Sequence, residues 1–332
     1  MTQMTDFLQA AGFGAARAQP LPSDASARRY TRLLGGPRPA LLMEAPPPEN
    51  PLPFITLARH IRGIGLSAPE IIAAAPEAGL VLIEDFGDAT HAALLDGGAE
   101  AKPLYLEAAE TLAALHEAAP PPDLPAWDGA AMAKATAATF LDWWWPAAMG
   151  QPASDAHRVA LASALGAMLA PFAARRGFVH RDYFPANLMQ LADRAGAKRT
   201  GLLDFQDAGL GHPAYDLVSL TEDARRDVAA DIRAAAITRY LAARRDLSRA
   251  EMEAAMAVFG AQRHLRVAAL WVRLALRDNK PRYLVHGPRC WRLLAQSLEH
   301  PATAPLALWL RDVLPLDLRR NPAALAAPSP HA

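Results

Sequence analysis

Two short segments of the chain carry side chains whose types and spacing suit phosphoryl transfer. The first runs from His180 through Asp182 to Asn187 in the order H-R-D-x-x-x-x-N, and the second begins with Asp204 and Phe205. Phosphoryl transfer requires a carboxylate that orients the attacking hydroxyl and accepts its proton. It also requires an amide and a second carboxylate that hold magnesium against nucleotide phosphates. The segments supply these groups in that order along the chain, so they predict a nucleotide-phosphate site that uses Mg²⁺.

The stretch between these segments is predicted to form a hairpin. Residues 188–191 and 200–204 are short strand-like runs, and the second leads from apolar residues into Asp204. Such a hairpin would bring Asn187 and Asp204 into one site. A lone H-x-D in a loop is more often a turn or a helix cap. Here the full eight-residue pattern precedes an apolar strand that ends in aspartate, which favours the phosphate site.

The elements that precede these segments predict a small sheet with one helix. Residues 28–34 and 40–45 are strand-like and flank a turn rich in glycine, which is typical of a hairpin. Residues 54–64 have apolar side chains at helical spacing, and 70–74 and 79–86 are short apolar runs. We interpret this part of the chain as a minor lobe.

After Gly87 the pattern becomes mainly helical. Residues 103–118 and 155–175 repeat apolar side chains at helical spacing, and the chain from 214 onward is helical with breaks at Pro281 and Pro301. We therefore predict an α+β, two-lobed fold. Its domains are predicted to be a nucleotide-binding lobe, 1–86, and a larger lobe with the catalytic loop, metal and substrate sites, 87–332.

The composition excludes several classes of protein. The 332 residues include 34 basic and 34 acidic side chains, which argues against nucleic-acid binding by phosphate neutralisation and against a polybasic membrane anchor. No apolar run approaches the ~20 residues of a membrane span, and the first residues lack a secretory pattern. The single cysteine, Cys290, excludes an internal disulfide framework. We expect a cytoplasmic protein with a small-molecule substrate and without nucleic-acid or membrane partners.

With its catalytic-loop motif, the chain resembles the aminoglycoside phosphotransferase family, a branch of the protein-kinase-like fold. Further stretches resemble the bacterial kinases of that family that phosphorylate N-acetylmuramate and N-acetylglucosamine at the anomeric hydroxyl. These stretches are Ser23–Ser26 with Arg28-Arg29-Tyr30, Met43–Pro46, His180–Tyr183, Leu203–Ala208, Asp223–Val228, Leu276–Asp278 and Lys280–Tyr283. The similarity extends over about residues 20–300.

The resemblance implies a role for each motif residue. Asp182 would be the general base, and Asn187 and Asp204 would bind Mg²⁺, with ATP as the phosphoryl donor. Glu84 and Asp85 match the hinge that meets adenine through backbone groups. Asp216 would tie the start of its helix to the catalytic loop.

The chain departs from the protein-kinase pattern at the phosphates. Protein kinases use a strand lysine paired with a helix glutamate, but the first lysine here is Lys102 and residues 54–64 contain no glutamate. There is also no G-x-G-x-x-G loop near the start of the sequence. In place of these groups we expect a turn of small residues with exposed backbone N–H groups, followed by an arginine. The residues concerned are Ser23, Asp24 and Ser26 for the turn, and Arg28, Arg29 or Arg32 for the charge.

Two further features suit an amino-sugar acceptor. Trp144, in the run Trp143-Trp144-Trp145, could stack on a sugar, although we favour a helix end that packs against the core. Arg263, Arg266, Arg273 and Arg277 share one face of a predicted helix, and Arg263 and Arg277 could bind a carboxylate such as a lactyl group. For at least two of the four arginines we favour a solvated basic face that forms salt bridges with nearby aspartates.

The motifs predict transfer of the γ-phosphoryl group of ATP to a small hydroxyl substrate. The resemblance implies that this substrate is an amino sugar, N-acetylmuramate or N-acetylglucosamine, and that the product is a sugar 1-phosphate in the recycling of cell-wall sugars. One alternative keeps the chemistry and changes the acceptor to an aminoglycoside or a choline-like or homoserine-like molecule. A polycationic aminoglycoside would require an acidic cleft, and the arginine-bearing segments do not suggest one. The other alternative is a nucleotide-binding protein without turnover. The presence of Asp182, Asn187 and Asp204 together favours the enzyme.

Overall fold

A computed structural model of the protein describes residues 2–22 and 27–325. The described chain divides into two compact units. The first consists of the residues up to Pro121 together with Asp182–Ala208, and the second consists of Pro122–Arg181 together with the residues from Gly209 onward. The chain therefore passes between the units three times, and one passage falls within the catalytic-loop motif, between Arg181 and Asp182.

The residues of the first unit that the structure describes form a sheet, four α-helices and a separate hairpin. Its elements are α1 (Thr2–Ala10), β1 (Arg17–Pro20), β2 (Arg29–Leu34), β3 (Ala40–Glu44), α2 (Leu52–Gly63), β4 (Ile71–Ala75), β5 (Leu80–Glu84), α3 (His91–Asp96), α4 (Ala101–Glu117) and, after the chain returns from the second unit, β8 (Leu188–Gln190) and β9 (Thr200–Leu202).

The sheet of the first unit is antiparallel throughout and has the strand order β1-β2-β3-β5-β4. Its core contains Phe13, Leu33, Leu42 and Leu82, each at most 3% exposed, against which apolar side chains of α1 pack. Strand β2 contributes Leu33 to this core, and β3 contributes the alternate residues Ala40 and Leu42, which share one face of the strand.

The turn between β4 and β5 requires glycine at its end. Gly79 has a φ of +66°, and a Cβ atom there would lie 2.4 Å from the carbonyl oxygen of Ala45. The backbone of Ala45, just after β3, approaches this turn and donates its N–H to the carbonyl oxygen of Gly79 at 2.7 Å. Only a residue without a side chain permits this approach.

The β8–β9 hairpin is attached to the elements around it by backbone hydrogen bonds. The N–H of Leu202 donates to the carbonyl oxygen of Ser67, and that of Gln190 donates to the carbonyl oxygen of Ala89, both at 2.8 Å. The hydroxyl of Ser67 also donates to the carbonyl oxygen of Lys198 at 2.7 Å. These bonds attach the β8–β9 hairpin to the first unit, although the hairpin is distant in the sequence from the rest of that unit.

The second unit is mainly helical. Its elements are β6 (Ala126–Trp127), α5 (Gly129–Thr139), α6 (Trp145–Met149), α7 (Asp155–Leu169), β7 (Gly177–Val179), β10 (Gly209–Gly211), α8 (Ala214–Thr221), α9 (Ala230–Ala243), α10 (Arg249–Arg277), α11 (Gly287–Ser297) and α12 (Ala304–Val313). A turn of π-helix, Phe140–Trp144, joins α5 to α6. The short strands form a sheet of order β6-β10-β7.

Helix α10 is the central element of the second unit. It begins at a capping box, in which Ser248 and Glu251 satisfy each other's backbone N–H groups. It is buried along much of its 29 residues and packs against α5, α8 and α11. A helix of this length buried by several neighbours provides a rigid support for the side chains that it carries.

The predicted fold class is confirmed by the antiparallel sheet and the helical majority of the chain. The predicted strands 28–34, 40–45 and 79–86 correspond to β2, β3 and β5, and the predicted helix 54–64 corresponds to α2. The compact units are discontinuous in the sequence and do not correspond to lobes of 1–86 and 87–332. The predicted division into lobes at residue 86 therefore stays a prediction. No helix within residues 2–22 and 27–325 is both long and apolar enough to span a bilayer.

Candidate active site

The start of the catalytic loop is held by a buried carboxylate of the second unit. Asp216, in the first turn of α8, is fully buried. Its Oδ2 accepts the backbone N–H of His180 at 2.6 Å, and its Oδ1 accepts that of Arg181 at 2.8 Å. One side chain therefore satisfies two consecutive backbone donors where β7 ends and the loop begins.

Arg181 has an uncommon backbone conformation. Its φ is 75°, in the left-handed region that costs a non-glycine residue about 1 kcal/mol or more. Its guanidinium carbon lies 4.0 Å from the centre of the Trp127 ring, and its carbonyl oxygen accepts a hydrogen bond from Arg263 at 3.4 Å. These contacts, with that of Asp216, maintain the conformation that directs the chain into Asp182.

The predicted metal ligands lie together in the first unit. The Nδ2 of Asn187 donates to the carbonyl oxygen of Asp182 at 2.9 Å and lies 3.4 Å from Oδ2 of Asp204. The other carboxylate oxygen of Asp204 accepts from Nε2 of Gln206 at 2.7 Å. Asp204 has a φ of 60° and an exposed side chain. The structure thus brings together the three residues on which the phosphoryl-transfer prediction depends.

The donor set of this site fits Mg²⁺. Asn187 and Asp204 offer amide and carboxylate oxygens, the hard ligands that Mg²⁺ prefers, and Mg²⁺ usually takes its remaining ligands from water and substrate phosphates. Within the described part of the chain, no three His, Cys, Asp or Glu side chains form a larger metal-binding group. The two predicted residues are therefore suited to share the ion with a nucleotide.

Two aromatic side chains anchor the loop segments to helices of the first unit. Phe205, which follows Asp204, is fully buried and stacks on Phe54 of α2 with ring centres 5.0 Å apart. Tyr183, which follows Asp182, is also fully buried, and its hydroxyl donates to the carbonyl oxygen of Ala108 in α4 at 2.8 Å. Asp182 and Asp204, the two aspartates of the predicted site, are thus each followed by a buried aromatic residue that fixes the position of the backbone.

The predicted hinge residues form ion pairs with arginines. Glu84 is bonded to Arg194 and lies 3.4 Å from Arg62, and Asp85 is paired with Arg32. The backbone N–H of Glu84 donates to Glu70, and that of Asp85 donates to Pro39. The predicted adenine contact would therefore fall on a backbone carbonyl oxygen. It stays a prediction.

The predicted phosphate-binding turn lies outside the described residues, since Ser23, Asp24 and Ser26 belong to the segment 23–26. Arg28, which follows it, is described. Its Nε lies 3.1 Å from Oε2 of Glu49, and its side chain is 11% exposed.

Trp144 does not have the position expected of a sugar-stacking residue. Its side chain is fully buried, its ring stacks on Phe140 at 4.9 Å, and its Nε1 donates to the carbonyl oxygen of Arg320 at 3.0 Å. The ring and the N–H both have partners within the second unit, because the π-helical turn directs this side chain inward. We therefore correct the prediction: Trp144 is a core residue.

The two predicted substrate arginines differ in their surroundings. Arg263 is only 2% exposed and contacts Arg181 and the Tyr215 hydroxyl, so it supports the catalytic loop. Arg277 is half exposed and paired with Asp278. Their predicted role in binding substrate stays a prediction.

Gln206 and Glu49 contact predicted site residues and were not identified from the sequence. Gln206 binds the predicted metal ligand Asp204, and Glu49 pairs with Arg28. Gln206 lies two residues after Asp204 in the sequence, and this proximity could have indicated that it contacts the predicted metal ligand. Glu49 follows three prolines in an irregular segment, where no periodic pattern indicates which way a side chain points.

Two cavities of the second unit are lined by other residues. One, of about 810 Å³, is lined mainly by small apolar side chains between α5 and α7. The other, of about 660 Å³, is polar, and the segment Asp223–Val228 contributes Asp223, Arg226 and Asp227 to it. Of the predicted nucleotide and metal residues that the structure describes, none lines either cavity.

Comparisons with known proteins agree with this geometry. The phosphotransferase enzyme family matches residues 17–254. An N-acetylmuramate/N-acetylglucosamine kinase of Caulobacter vibrioides is 37% identical, with 95% of this chain and 96% of the relative covered. A kinase of the same description from Pseudomonas aeruginosa is 34% identical, with 83% and 82% covered.

Solved structures of the same fold come from kinases of small molecules. A choline/ethanolamine kinase family protein from Mesorhizobium loti has a TM-score of 0.63 at 14% identity, with 94% of this chain and 99% of that chain covered. A thermostable mutant of an aminoglycoside phosphotransferase, in a ternary complex with AMP-PNP and hygromycin B, has a TM-score of 0.58 at 16% identity, with 90% and 99% covered.

Proposed function

The chain belongs to the phosphotransferase enzyme family, and we propose that it transfers the γ-phosphoryl group of ATP to the anomeric hydroxyl of N-acetylmuramate or N-acetylglucosamine. The product would be the sugar 1-phosphate. The class of activity, a small-molecule kinase, follows from the family. The acceptor is supported by four relatives, each described as an N-acetylmuramate/N-acetylglucosamine kinase and 30–37% identical over at least 80% of this chain.

The observation that carries the proposed chemistry is the arrangement of Asp182, Asn187 and Asp204 in one unit. The Asn187 side chain binds the backbone of Asp182 and lies next to the carboxylate of Asp204. A base for the hydroxyl and oxygen ligands for a metal are thus present on connected segments. A degenerate nucleotide-binding protein has no need to retain this combination.

Each residue has a role in the proposed reaction. The carboxylate of Asp182 orients the anomeric hydroxyl and accepts its proton as the oxygen attacks the γ-phosphorus. Asp216 and Arg263 bind the backbone of His180 and Arg181, the two residues that precede Asp182 in the sequence. Asn187 and Asp204 would hold Mg²⁺, which would neutralise negative charge on the phosphates.

We place this reaction in the recycling of cell-wall sugars, in the cytoplasm, where ATP is available. A free reducing sugar has its anomeric hydroxyl exposed, and phosphorylation there yields a sugar 1-phosphate. Such a product is the form that a nucleotidyl transfer reaction consumes.

The test is phosphorus NMR of the purified protein with ATP, Mg²⁺ and a panel of acceptors. The panel contains N-acetylmuramate, N-acetylglucosamine, glucose, choline, homoserine and an aminoglycoside. Asp182→Asn runs in parallel, because the amide keeps the shape and removes the proton acceptor. Asp231→Asn, an exposed carboxylate at the start of α9, is the matched control.

We expect a sugar 1-phosphate signal with one or both amino sugars. The signal should be retained in the Asp231 variant and reduced about 10²- to 10⁴-fold in the Asp182 variant. A product on another acceptor only would overturn the amino-sugar assignment and leave the kinase chemistry in place. No product on any acceptor, with ATP still bound, would support the binding protein without turnover.

A further inference from the structure

Helix α10 carries two arginines that lack an ion-pair partner. Arg266 and Arg273 form no ion pair with any residue that the structure describes, and Nε of each has no hydrogen-bond partner among those residues. Both side chains are partly buried. Removing a cation from water without a counter-ion is unfavourable. An anion from outside the chain would therefore stabilise this face of the helix.

The other two arginines on this face of α10 have partners within the chain. Arg277 is paired with Asp278 at 2.9 Å. Arg263 is only 2% exposed and donates to the carbonyl oxygen of Arg181 at 3.4 Å. The role of binding an acceptor carboxylate, which the sequence suggests for these two residues, therefore fits their two neighbours on the helix better.

Arg266 lies in a cluster of aromatic and cationic side chains where the catalytic loop begins. Its Nη2 donates to the hydroxyl of Tyr215 at 3.0 Å, and its guanidinium carbon lies 5.8 Å from the centre of the Trp127 ring. The guanidinium carbon of Arg181 lies 4.0 Å from the same ring centre. The Tyr215 hydroxyl also accepts a hydrogen bond from Arg263. One phenol and one indole ring thus connect Arg266 to the residue that immediately precedes the predicted base.

The aromatic part of this cluster is rigid. Trp127, at the end of β6, and Tyr215, in the first turn of α8, both belong to the second unit, as Arg266 does. Their rings pack edge to face with centres 5.6 Å apart, and both side chains are buried. Contacts with two fixed rings restrict the guanidinium of Arg266 before any ligand binds, which lowers the entropy that binding costs.

Arg273 extends the positive charge along the helix. It follows Arg266 by seven residues, which is about two turns, so the two side chains lie on the same face of α10. Burial lowers the pKa of Arg273, the charges of Arg277 and Arg266 lower it further, and the charge of Asp278 opposes this. A face of this kind attracts an anionic ligand and repels a polycation such as an aminoglycoside.

We propose that Arg266 binds the carboxylate of an anionic acceptor sugar and that Arg273 strengthens the attraction of that carboxylate. This inference rests on the proposed function, because it concerns the acceptor of the same reaction. N-acetylmuramate carries a lactyl carboxylate, whereas N-acetylglucosamine carries none. Arg266 would therefore determine a preference for the acidic sugar over the neutral one.

The guanidinium of Arg266 has the donors that this contact requires. An arginine carries five N–H donors, and the bond to the Tyr215 hydroxyl uses one of them. Two of the others can form the parallel pair of hydrogen bonds that a carboxylate accepts. The tyrosine would then orient the guanidinium, and the sugar would supply the negative charge.

The test compares three ligands by calorimetry in the presence of Mg²⁺-ADP. They are N-acetylmuramate, its methyl ester, which keeps the lactyl group but not its charge, and N-acetylglucosamine, which lacks the group. The variants are Arg266→Gln, Arg266→Lys and Arg273→Gln. Arg245→Gln, which changes an exposed arginine of the same unit, is the control. Thermal unfolding of each variant identifies any loss of folding.

We expect the unchanged protein to bind N-acetylmuramate more tightly than its ester. Arg266→Gln should weaken N-acetylmuramate binding about 10- to 100-fold, the effect of losing a charged hydrogen bond, and leave the binding of the other two ligands nearly unchanged. Arg266→Lys should retain part of the preference, and Arg273→Gln should cause a smaller loss with the same selectivity. In initial-rate measurements the loss should appear in the KM for N-acetylmuramate rather than in kcat.

Two outcomes would overturn this inference and leave the proposed function in place. One is equal affinity of the unchanged protein for N-acetylmuramate and its ester. The other is equal weakening of both amino sugars by Arg266→Gln, which would indicate a structural role for this residue. If the unchanged protein bound neither amino sugar, the proposed acceptor and this inference would both be wrong. The two kinds of failure are therefore distinguishable.

Discussion

The side chain of Asn187 is bonded to the backbone of Asp182, with Nδ2 donating to the carbonyl oxygen at 2.9 Å. A predicted metal ligand thus also fixes the loop that carries the predicted base. A displacement of Asn187 is therefore transmitted to Asp182 without any intervening side chain. The predicted metal ligand and the predicted base are thus connected through one side-chain amide.

This double role predicts the behaviour of Asn187→Asp. The variant keeps an oxygen ligand but loses the donor to Asp182 and places a second carboxylate beside Asp204. We expect tighter binding of the metal alone, because the site gains negative charge, together with a kcat reduced about 10- to 100-fold. Steady-state kinetics over a range of Mg²⁺ concentrations measure both. An unchanged kcat would show that the bond to Asp182 has no role in catalysis.

Asp216 provides a second prediction, on stability. Asparagine has one acceptor oxygen where the carboxylate uses two, so Asp216→Asn leaves a buried backbone N–H opposite an amide NH₂ group. We expect the free energy of unfolding to fall by about 1–3 kcal/mol. Urea denaturation measures this change, with Asp231→Asn as the exposed control. A loss that is equal in the two variants would contradict the importance of the paired bonds.

The sequence predicted strands β2 to β5 of the described sheet and the grouping of Asp182, Asn187 and Asp204, but it did not predict β1. Asp182, Asn187 and Asp204 belong to a motif whose spacing follows from its chemistry, so the structure could be expected to bring them together. The edge strand β1, Arg17–Pro20, is exposed along its whole length and has no apolar alternation to identify it. Its pairing with β2 depends on backbone hydrogen bonds, which the sequence does not encode residue by residue.

Trp144 illustrates the limit of reasoning from side-chain type. A cluster of three tryptophans is compatible with sugar stacking and with core packing, and only the π-helical turn decides which side chain faces inward. A local insertion in a helix changes the direction of every following side chain by about 100°. Helical periodicity cannot anticipate such an insertion.

A third prediction follows from the burial of Trp144. Trp144→Phe removes the bond to Arg320 and leaves unfilled space, so we expect a loss of about 1–3 kcal/mol in the free energy of unfolding. The KM for the sugar should not change. Denaturation and initial-rate kinetics test the two parts, with the half-buried Trp143→Phe for comparison. An increased KM without loss of stability would restore the stacking hypothesis.

His91 predicts a dependence of stability on pH. It is 1% exposed, its Nε2 lies 3.1 Å from Oε1 of Gln190, and burial lowers its pKa to about 4. The unfolded chain protonates this group near pH 6.5, so between pH 6.5 and 4 the unfolded state binds more protons and stability falls as the pH falls. The full effect is about 3 kcal/mol.

The measurement is urea denaturation at pH 7 and pH 5 for the unchanged protein and for His91→Gln, which retains a hydrogen-bond donor to Gln190. We expect the variant to lose less stability than the unchanged protein over this interval. Identical losses in the two proteins would assign the acid sensitivity to other groups.

Cys290 provides a fifth prediction, on chemical reactivity. Its thiol is fully buried, accepts a hydrogen bond from Nε1 of Trp271 at 3.3 Å, and burial raises its pKa to about 11. At pH 8 about one thiol in a thousand is ionised, and the reagent has no access to it. We expect no reaction with Ellman's reagent in the folded protein and one thiol per chain after unfolding in guanidinium chloride. Rapid labelling of the folded protein would contradict the burial of this side chain.

The division of the chain into discontinuous units has a consequence for its synthesis. A ribosome that has released residues 1–121 has supplied the sheet, α2 and α4, but not β8 and β9, which bond to Ser67 and Ala89. The first unit is complete only when residue 208 has emerged, after residues 122–181 of the second unit have been made. A nascent or truncated chain that ends before residue 182 therefore carries neither Asp182 and the predicted metal ligands nor the strands that close the unit. The fold thus delays phosphoryl-transfer chemistry until about two thirds of the polypeptide is made.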